Sequence, residues 1–205
     1  WRTWVLTRTS EIDPPPPIAY DSPAFWKEVE EVLEVARKLS PEQKRIAEKW
    51  DLDLGTVTPG GVWNQHAKHL ILKHQGQPAQ ATRILATLNA AMIDAFLACW
   101  NAKYQWWTER PLTVIRERYD PQFLSHIITP PFPSYVSGHS SVSGAAAKVL
   151  GAFFPEEAPA LQAMAAEAAL SRLYGGIHYT SDNEQGLALG QRVGERALTT
   201  IALEK

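Results

Sequence analysis

Three short stretches of this 205-residue chain carry residues whose types and spacing could do chemistry. The middle one, Phe132-Pro-Ser-Tyr-Val-Ser-Gly-His139, delivers Ser137, Gly138 and His139 to a helix start, because the run Ser140 to Ala147 that follows is built from small residues. The first turn of a helix carries unpaired N–H groups and a partial positive charge. A tetrahedral oxyanion fits there. His139 beside it can take or give a proton near neutral pH. Upstream, the apolar period Leu85, Leu88, Met92, Phe96, Cys99 continues onto Lys103 and then Arg110; downstream, Arg172 follows Leu161, Ala165 and Ala168 on one face. A cation on an apolar face is costly unless paired or ligand-bound, and Lys103 has no acidic residue three or four positions away. Its stem could equally run past Trp106 and Trp107 to solvent. His178 lies in a short connector, and Asp182, four residues on, can hold its second ring nitrogen and so set its tautomer. Read alone, the middle stretch is also consistent with a Pro-rich loop ending in a Ser-capped helix with one surface histidine.

The elements that must position these groups are helical. Residues 1–22, with prolines 14–17, read as an extended arm, and residues 23–205 as a single helical catalytic domain. Ser22-Pro23 and Ser40-Pro41 with Gln43 open two helices. After a loop over 51–61, a helix from about Gly61 to Lys73 carries His66 and His69 at a metal-ligand spacing, but no third ligand stands in that helix, so they read as a structural pair. A long helix from about Pro78 to Trp107 follows, and Pro111 reads as its stop. The helix beginning at Ser137 ends near Phe154, Gly175-Gly176 closes the next, and Ser181 with Glu184 reads as the capping box of the last. Gly186, Gly190 and Gly194 form a ladder for close helix packing, within the chain or in a homo-oligomer. No alternating strand pattern occurs, which makes the expected fold an all-α helical bundle.

Composition narrows the function classes. A net charge of −2 leaves no broad basic face for nucleic acid or an anionic membrane. The run Leu88 to Trp100 is interrupted by Asn89 and Asp94 and reads as too short to span a bilayer, so a soluble protein is expected. Cys99 is the only cysteine, which excludes an internal disulfide. The chain begins at Trp1 with no signal-like stretch, consistent with a removed leader, and the compartment stays open.

In order, the stretches read Lys103, six residues, Arg110-Pro111; then Ser137-Gly138-His139; then Ser171-Arg172, five residues, His178, three residues, Asp182. This resembles the tripartite signature of the superfamily that joins type 2 phosphatidic acid phosphatases and bacterial class A acid phosphatases to vanadium-dependent haloperoxidases. The resemblance implies that Lys103, Arg110, Ser137, Gly138 and Arg172 hold the oxygens of vanadate or phosphate. It makes His139 the acid–base group and His178 the ligand of vanadium, or the nucleophile in a phosphatase. Lys103 would then polarise the bound oxygens.

The longer form Phe-Pro-Ser-Tyr-Val-Ser-Gly-His resembles the haloperoxidase branch, whereas phosphatases usually contract it to Pro-Ser-Gly-His. Trp100 and Phe132 fall where the family's chloroperoxidases have an aromatic halide pocket. The expectation is a vanadate-dependent enzyme that oxidises halide with hydrogen peroxide, its partners being small molecules. A metal-independent acid phosphatase working through a phosphohistidine, and a non-catalytic oxyanion-binding module, are the alternatives. Val136 departs from the family's usual proline and puts the loop's rigidity in question. Family haloperoxidases are usually longer, so the chain reads as a C-terminal catalytic part.

Overall fold

The computed structural model describes residues 2–52 and 55–202, and these are helical with no strand. Helix α1 (Pro23–Arg37) starts where Ser22 accepts the Phe25 N–H, and α2 (Pro41–Lys49) starts on the Ser40/Gln43 capping box. Helix α3 spans Thr58–Lys73, beginning earlier than the sequence indicates: Pro59 occupies the first turn, where its missing N–H costs nothing, so Gly60 and Gly61 are helical rather than loop. His66 and His69 lie with ring centroids 6.4 Å apart, and no group of three possible ligands surrounds them among the described residues.

The long helix α4 (Pro78–Trp106) ends in a left-handed Trp107. Pro111 does not stop it. Instead Arg110 is the N-cap of a further short helix, α5 (Pro111–Arg118), because proline suits a first helical turn as well as it ends a preceding one. Arg110 therefore does not continue the α4 stripe; the chain turns between the two cations. Phe96 also leaves the expected stripe, with 42% of its surface exposed. Within Pro78–Arg118 lies a window long and apolar enough to cross a membrane by length and composition, contrary to the reading of Leu88–Trp100, and 56% of that window is buried inside the fold.

At the centre stands α6 (Gly138–Phe153), packed by α4, α7 (Ala158–Tyr174) and α8 (Thr180–Ala197). Its residues Ser140 to Ala147 are all buried, which only small side chains permit on every face. The glycine ladder of α8 meets this helix: a Cβ at Gly190 would overlap the Ser141 carbonyl oxygen, and one at Gly186 would stand 2.7 Å from that of Ser137. The start of α8 is not built as expected. Ser181 turns its N–H and hydroxyl to Glu28 of α1, at 2.7 and 2.6 Å, and the Tyr179 N–H is accepted by Asp182. The arm is anchored by Asp94 of α4, whose buried carboxylate accepts the N–H groups of Trp4, Val5 and Leu6.

Candidate active site

The site lies where the ends of α4, α5, α6 and α7 meet the connector before α8. Lys103 projects from the last turn of α4 and is 1% exposed. Its Nζ donates to the carbonyls of Pro133 and Ser134, at 2.7 and 2.8 Å, so the alternative route past Trp106 and Trp107 to solvent is not taken. The loop it holds is further pinned by Ser134 N–H to the Thr108 carbonyl and Tyr135 N–H to the Thr108 hydroxyl. Val136 therefore sits buried in a loop held from two sides. Arg110, cap of α5, donates from Nε to the Phe132 carbonyl and from Nη1 to the Ile177 carbonyl, with Nη1 also 3.0 Å from His178 Nε2. Its Nη2 is buried and has no partner. Arg172, 2% exposed, donates to Ser171 Oγ and to the Ala47 carbonyl.

The two histidines have opposite tautomers, as their partners dictate. His139 donates from Nε2 to the Trp50 carbonyl at 2.9 Å, which leaves Nδ1 as the acceptor. His178 directs Nδ1 to Asp182 Oδ2 at 2.8 Å, so that ring carries its proton on Nδ1 and keeps the Nε2 lone pair on the Arg110 side. Burial, with the nearby cations, holds both imidazoles well below their ordinary pKa, and they are neutral at pH 7. Burial also lowers Lys103 to about 8 and Arg110 and Arg172 to about 10, and raises Asp182.

Trp100, Lys103, Arg110, Phe132, Gly138, His139, Arg172 and His178 line one cavity of about 710 Å³. Phe132 forms part of its wall against Trp100, ring centroids 5.0 Å apart, with the Lys103 and Arg110 cations 5.4 and 5.0 Å from its ring. Two expected residues stand behind the lining. The Ser137 hydroxyl caps α6, accepting from Ser140, and Asp182 backs His178. Sequence reasoning missed Ser134, fully buried, whose hydroxyl donates to Asp182 Oδ2 while its carbonyl accepts Lys103. It also missed the Trp50 carbonyl that orients His139, for which no sequence signal exists.

Among the described residues no carboxylate lies within ion-pair distance of Lys103, Arg110 or Arg172. Three buried cations, an unpartnered guanidinium nitrogen and the start of α6 around one cavity form a donor set that suits a tetrahedral oxyanion, vanadate or phosphate.

The helical fold and the spaced motif residues go with a family assignment: the chain belongs to the PAP2 superfamily, whose pattern matches residues 83–201. Over 97% of its length it is similar to the first bacterial vanadium-dependent iodoperoxidase (36% identity, TM-score 0.90), covering 55% of that chain. An apo-type bacterial vanadium-dependent chloroperoxidase matches over 98% of this chain and 54% of its own (16% identity, TM-score 0.85). A transmembrane PAP2-type phosphatidylglycerolphosphate phosphatase from Bacillus subtilis matches over 90% of both chains (14% identity, TM-score 0.58). The last two likenesses concern the fold alone. The chain spans about half the length of these two peroxidases. A search of curated proteins returned no match.

Proposed function

We propose that this protein is a vanadate-dependent haloperoxidase, oxidising halide with hydrogen peroxide. The observation that carries the reading is the set of three buried cations, none within ion-pair distance of a carboxylate among the described residues, beside two neutral histidines on one cavity. The 36% identity to an iodoperoxidase supports this branch over the phosphatase branch. Lys103, Arg110, Arg172 and the Gly138 N–H would hold the oxygens of vanadate and His178 Nε2 would be its protein ligand, with Ser137 shaping the turn. Bound there, vanadate activates hydrogen peroxide toward attack by halide.

What the chain's own residues contribute follows from their positions. The cations balance negative charge from buried positions, where fixed charges act more strongly than in bulk water. Asp182 and Ser134 keep the His178 proton on Nδ1, leaving Nε2 free to bond once Arg110 Nη1 turns toward the anion. His139, neutral and with Nδ1 unprotonated, accepts the proton that peroxide must lose. Trp100 and Phe132 offer halide a weakly hydrated wall beside two cations. Iodide and bromide, more easily oxidised than chloride, are used first.

The test is a paired assay of the full chain with and without vanadate, using iodide or bromide plus peroxide in one arm and a chromogenic phosphomonoester in the other. Halide oxidation that depends on vanadate, with phosphatase activity absent or inhibited by vanadate, is expected. Phosphomonoester hydrolysis by vanadate-free protein, with no halide oxidation across about pH 5 to 8, would replace this reading by the phosphatase one. Oxyanion binding without either activity would make the chain a binding module.

A further inference from the structure

His139 is held from a helix that carries none of the motif residues. Trp50, the residue that closes α2, gives its carbonyl to His139 Nε2 at 2.9 Å, and the same short helix gives the Ala47 carbonyl to Arg172. The Trp50 carbonyl lies past the end of the helix, where it also accepts the Leu52 N–H at 2.9 Å in a turn. Its direction therefore depends on how Trp50 itself is seated. The indole is 1% exposed, and its Nε1 donates to Glu167 Oε1 at 2.8 Å, on α7 upstream of Arg172. The same oxygen receives Lys49 Nζ at 2.5 Å, with 48% of the lysine side chain and 30% of the glutamate side chain exposed.

We propose that Glu167 is a positioning residue for His139: by holding the Trp50 indole it seats the Trp50 carbonyl, which keeps the His139 proton on Nε2 and leaves Nδ1 as the acceptor. The catalytic part of this inference rests on the haloperoxidase reading; the tautomer part does not. Two arguments carry it. In a neutral imidazole one nitrogen donates and the other accepts, and the partner of one decides what the other can do. A ring whose Nε2 lost its carbonyl would carry its proton on Nδ1 part of the time. In that form it cannot take the proton that peroxide must lose. The second argument concerns the carboxylate. An exposed pair such as Lys49 with Glu167 adds little to a fold, whereas a buried indole N–H needs an acceptor, and Glu167 is the group that supplies it. Because Glu167 reaches the indole from the partly open side of α7, it can be changed without opening the core.

Long-range proton–nitrogen correlation NMR of the full, vanadate-free chain, labelled at histidine and assigned with His139→Gln, reads the tautomer directly. The wild type is expected to show His139 protonated at Nε2 and bare at Nδ1. Glu167→Ala should mix the two forms. Glu167→Gln keeps an acceptor for the indole but no charge for Lys49, and should restore the wild-type pattern; Lys49→Met should leave that pattern alone. In the vanadate-loaded chain, kcat for iodide oxidation should fall about tenfold in Glu167→Ala, with KM for iodide within about twofold, and recover in Glu167→Gln. An unchanged tautomer in Glu167→Ala would overturn the proposal. So would mixed tautomers in Lys49→Met and Glu167→Gln alike, since the ion pair and not the indole bond would then be the support. Mixed tautomers with undiminished turnover would overturn the catalytic part. A wild type that oxidises no iodide would count against the haloperoxidase reading instead, and the tautomers would still decide the role of Glu167.

Discussion

Lys103 is a buried cation whose neighbours are two carbonyls rather than an acid. Its fall from an ordinary 10.5 to about 8 corresponds to roughly 3 kcal/mol against the charged form. Because the folded pKa is depressed, this stability is lost as pH falls from about 10.5 to about 8. The two histidines behave alike lower down: folded protein holds them neutral, so stability falls further as pH drops below about 6.5. Lys103→Met removes the charge, but leaves two carbonyls without their donor. These effects oppose each other, so we expect stability within about 1 kcal/mol of the wild type, while vanadate affinity by calorimetry falls about 100-fold or more. Unchanged affinity would exclude Lys103 from the oxyanion site. In the proposed reaction Asp182 works through His178, as a positioning group. Asp182→Asn can support the wrong His178 tautomer, and should cut turnover about 10- to 100-fold with a shifted pH profile. An unaltered rate and profile would reduce Asp182 to a helix-start acid.

At the scale of elements, α6 and α8 bring Gly138 and His139 to the site and set Asp182 behind His178 through backbone contact, Ser137 N–H to the Asp182 carbonyl at 3.0 Å. Gly190→Ala would force these helices apart, since the added carbon meets backbone on α6 that has no room to yield. A loss of about 3 kcal/mol is expected, read as a fall in Tm of roughly 6–12 °C; an unchanged Tm would mean the helices pack less tightly than described. The glycine ladder was legible in the sequence because close packing leaves a spacing. So were α1 and α2, whose Ser-Pro starts are local signals. Helix α5 was not, since Pro111 carries two meanings, stop and start, and eight residues give too little periodicity to choose. The capping of α8 was misread for a related reason: Ser181 is claimed by Glu28, from a helix some 150 residues earlier. At the site, residues matching a spaced motif could be found, while Ser134 and the Trp50 carbonyl act only through tertiary contacts that spacing does not encode.

For the molecule as a whole, the cluster of three buried cations is a built-in cost to the ligand-free fold. Lys103, Arg110 and Arg172 are desolvated together and all three are lowered by burial; the carboxylate that offsets this at Lys103 and Arg110, Asp182, is already committed to His178 and Ser134, and Arg172 has only the exposed Asp51. An anion that binds the folded chain and not the unfolded one must therefore raise stability by mass action, and at about 100 times its Kd the gain is roughly 2.7 kcal/mol. For a chain of this length that is a rise in Tm of roughly 5–10 °C. Vanadate and phosphate should both produce it, because both are tetrahedral and the cations do not distinguish the central atom. They should part company in His178→Ala: without the imidazole, vanadate loses its direct bond while phosphate keeps its charge contacts. We expect the vanadate shift to collapse toward the phosphate value in that variant, and the phosphate shift to survive. Differential scanning calorimetry at constant ionic strength, with chloride as the salt control, separates site binding from screening. A shift no larger than that of a matched chloride concentration would mean that the three cations do not share an anion, and an undiminished vanadate shift in His178→Ala would remove His178 from its role as ligand.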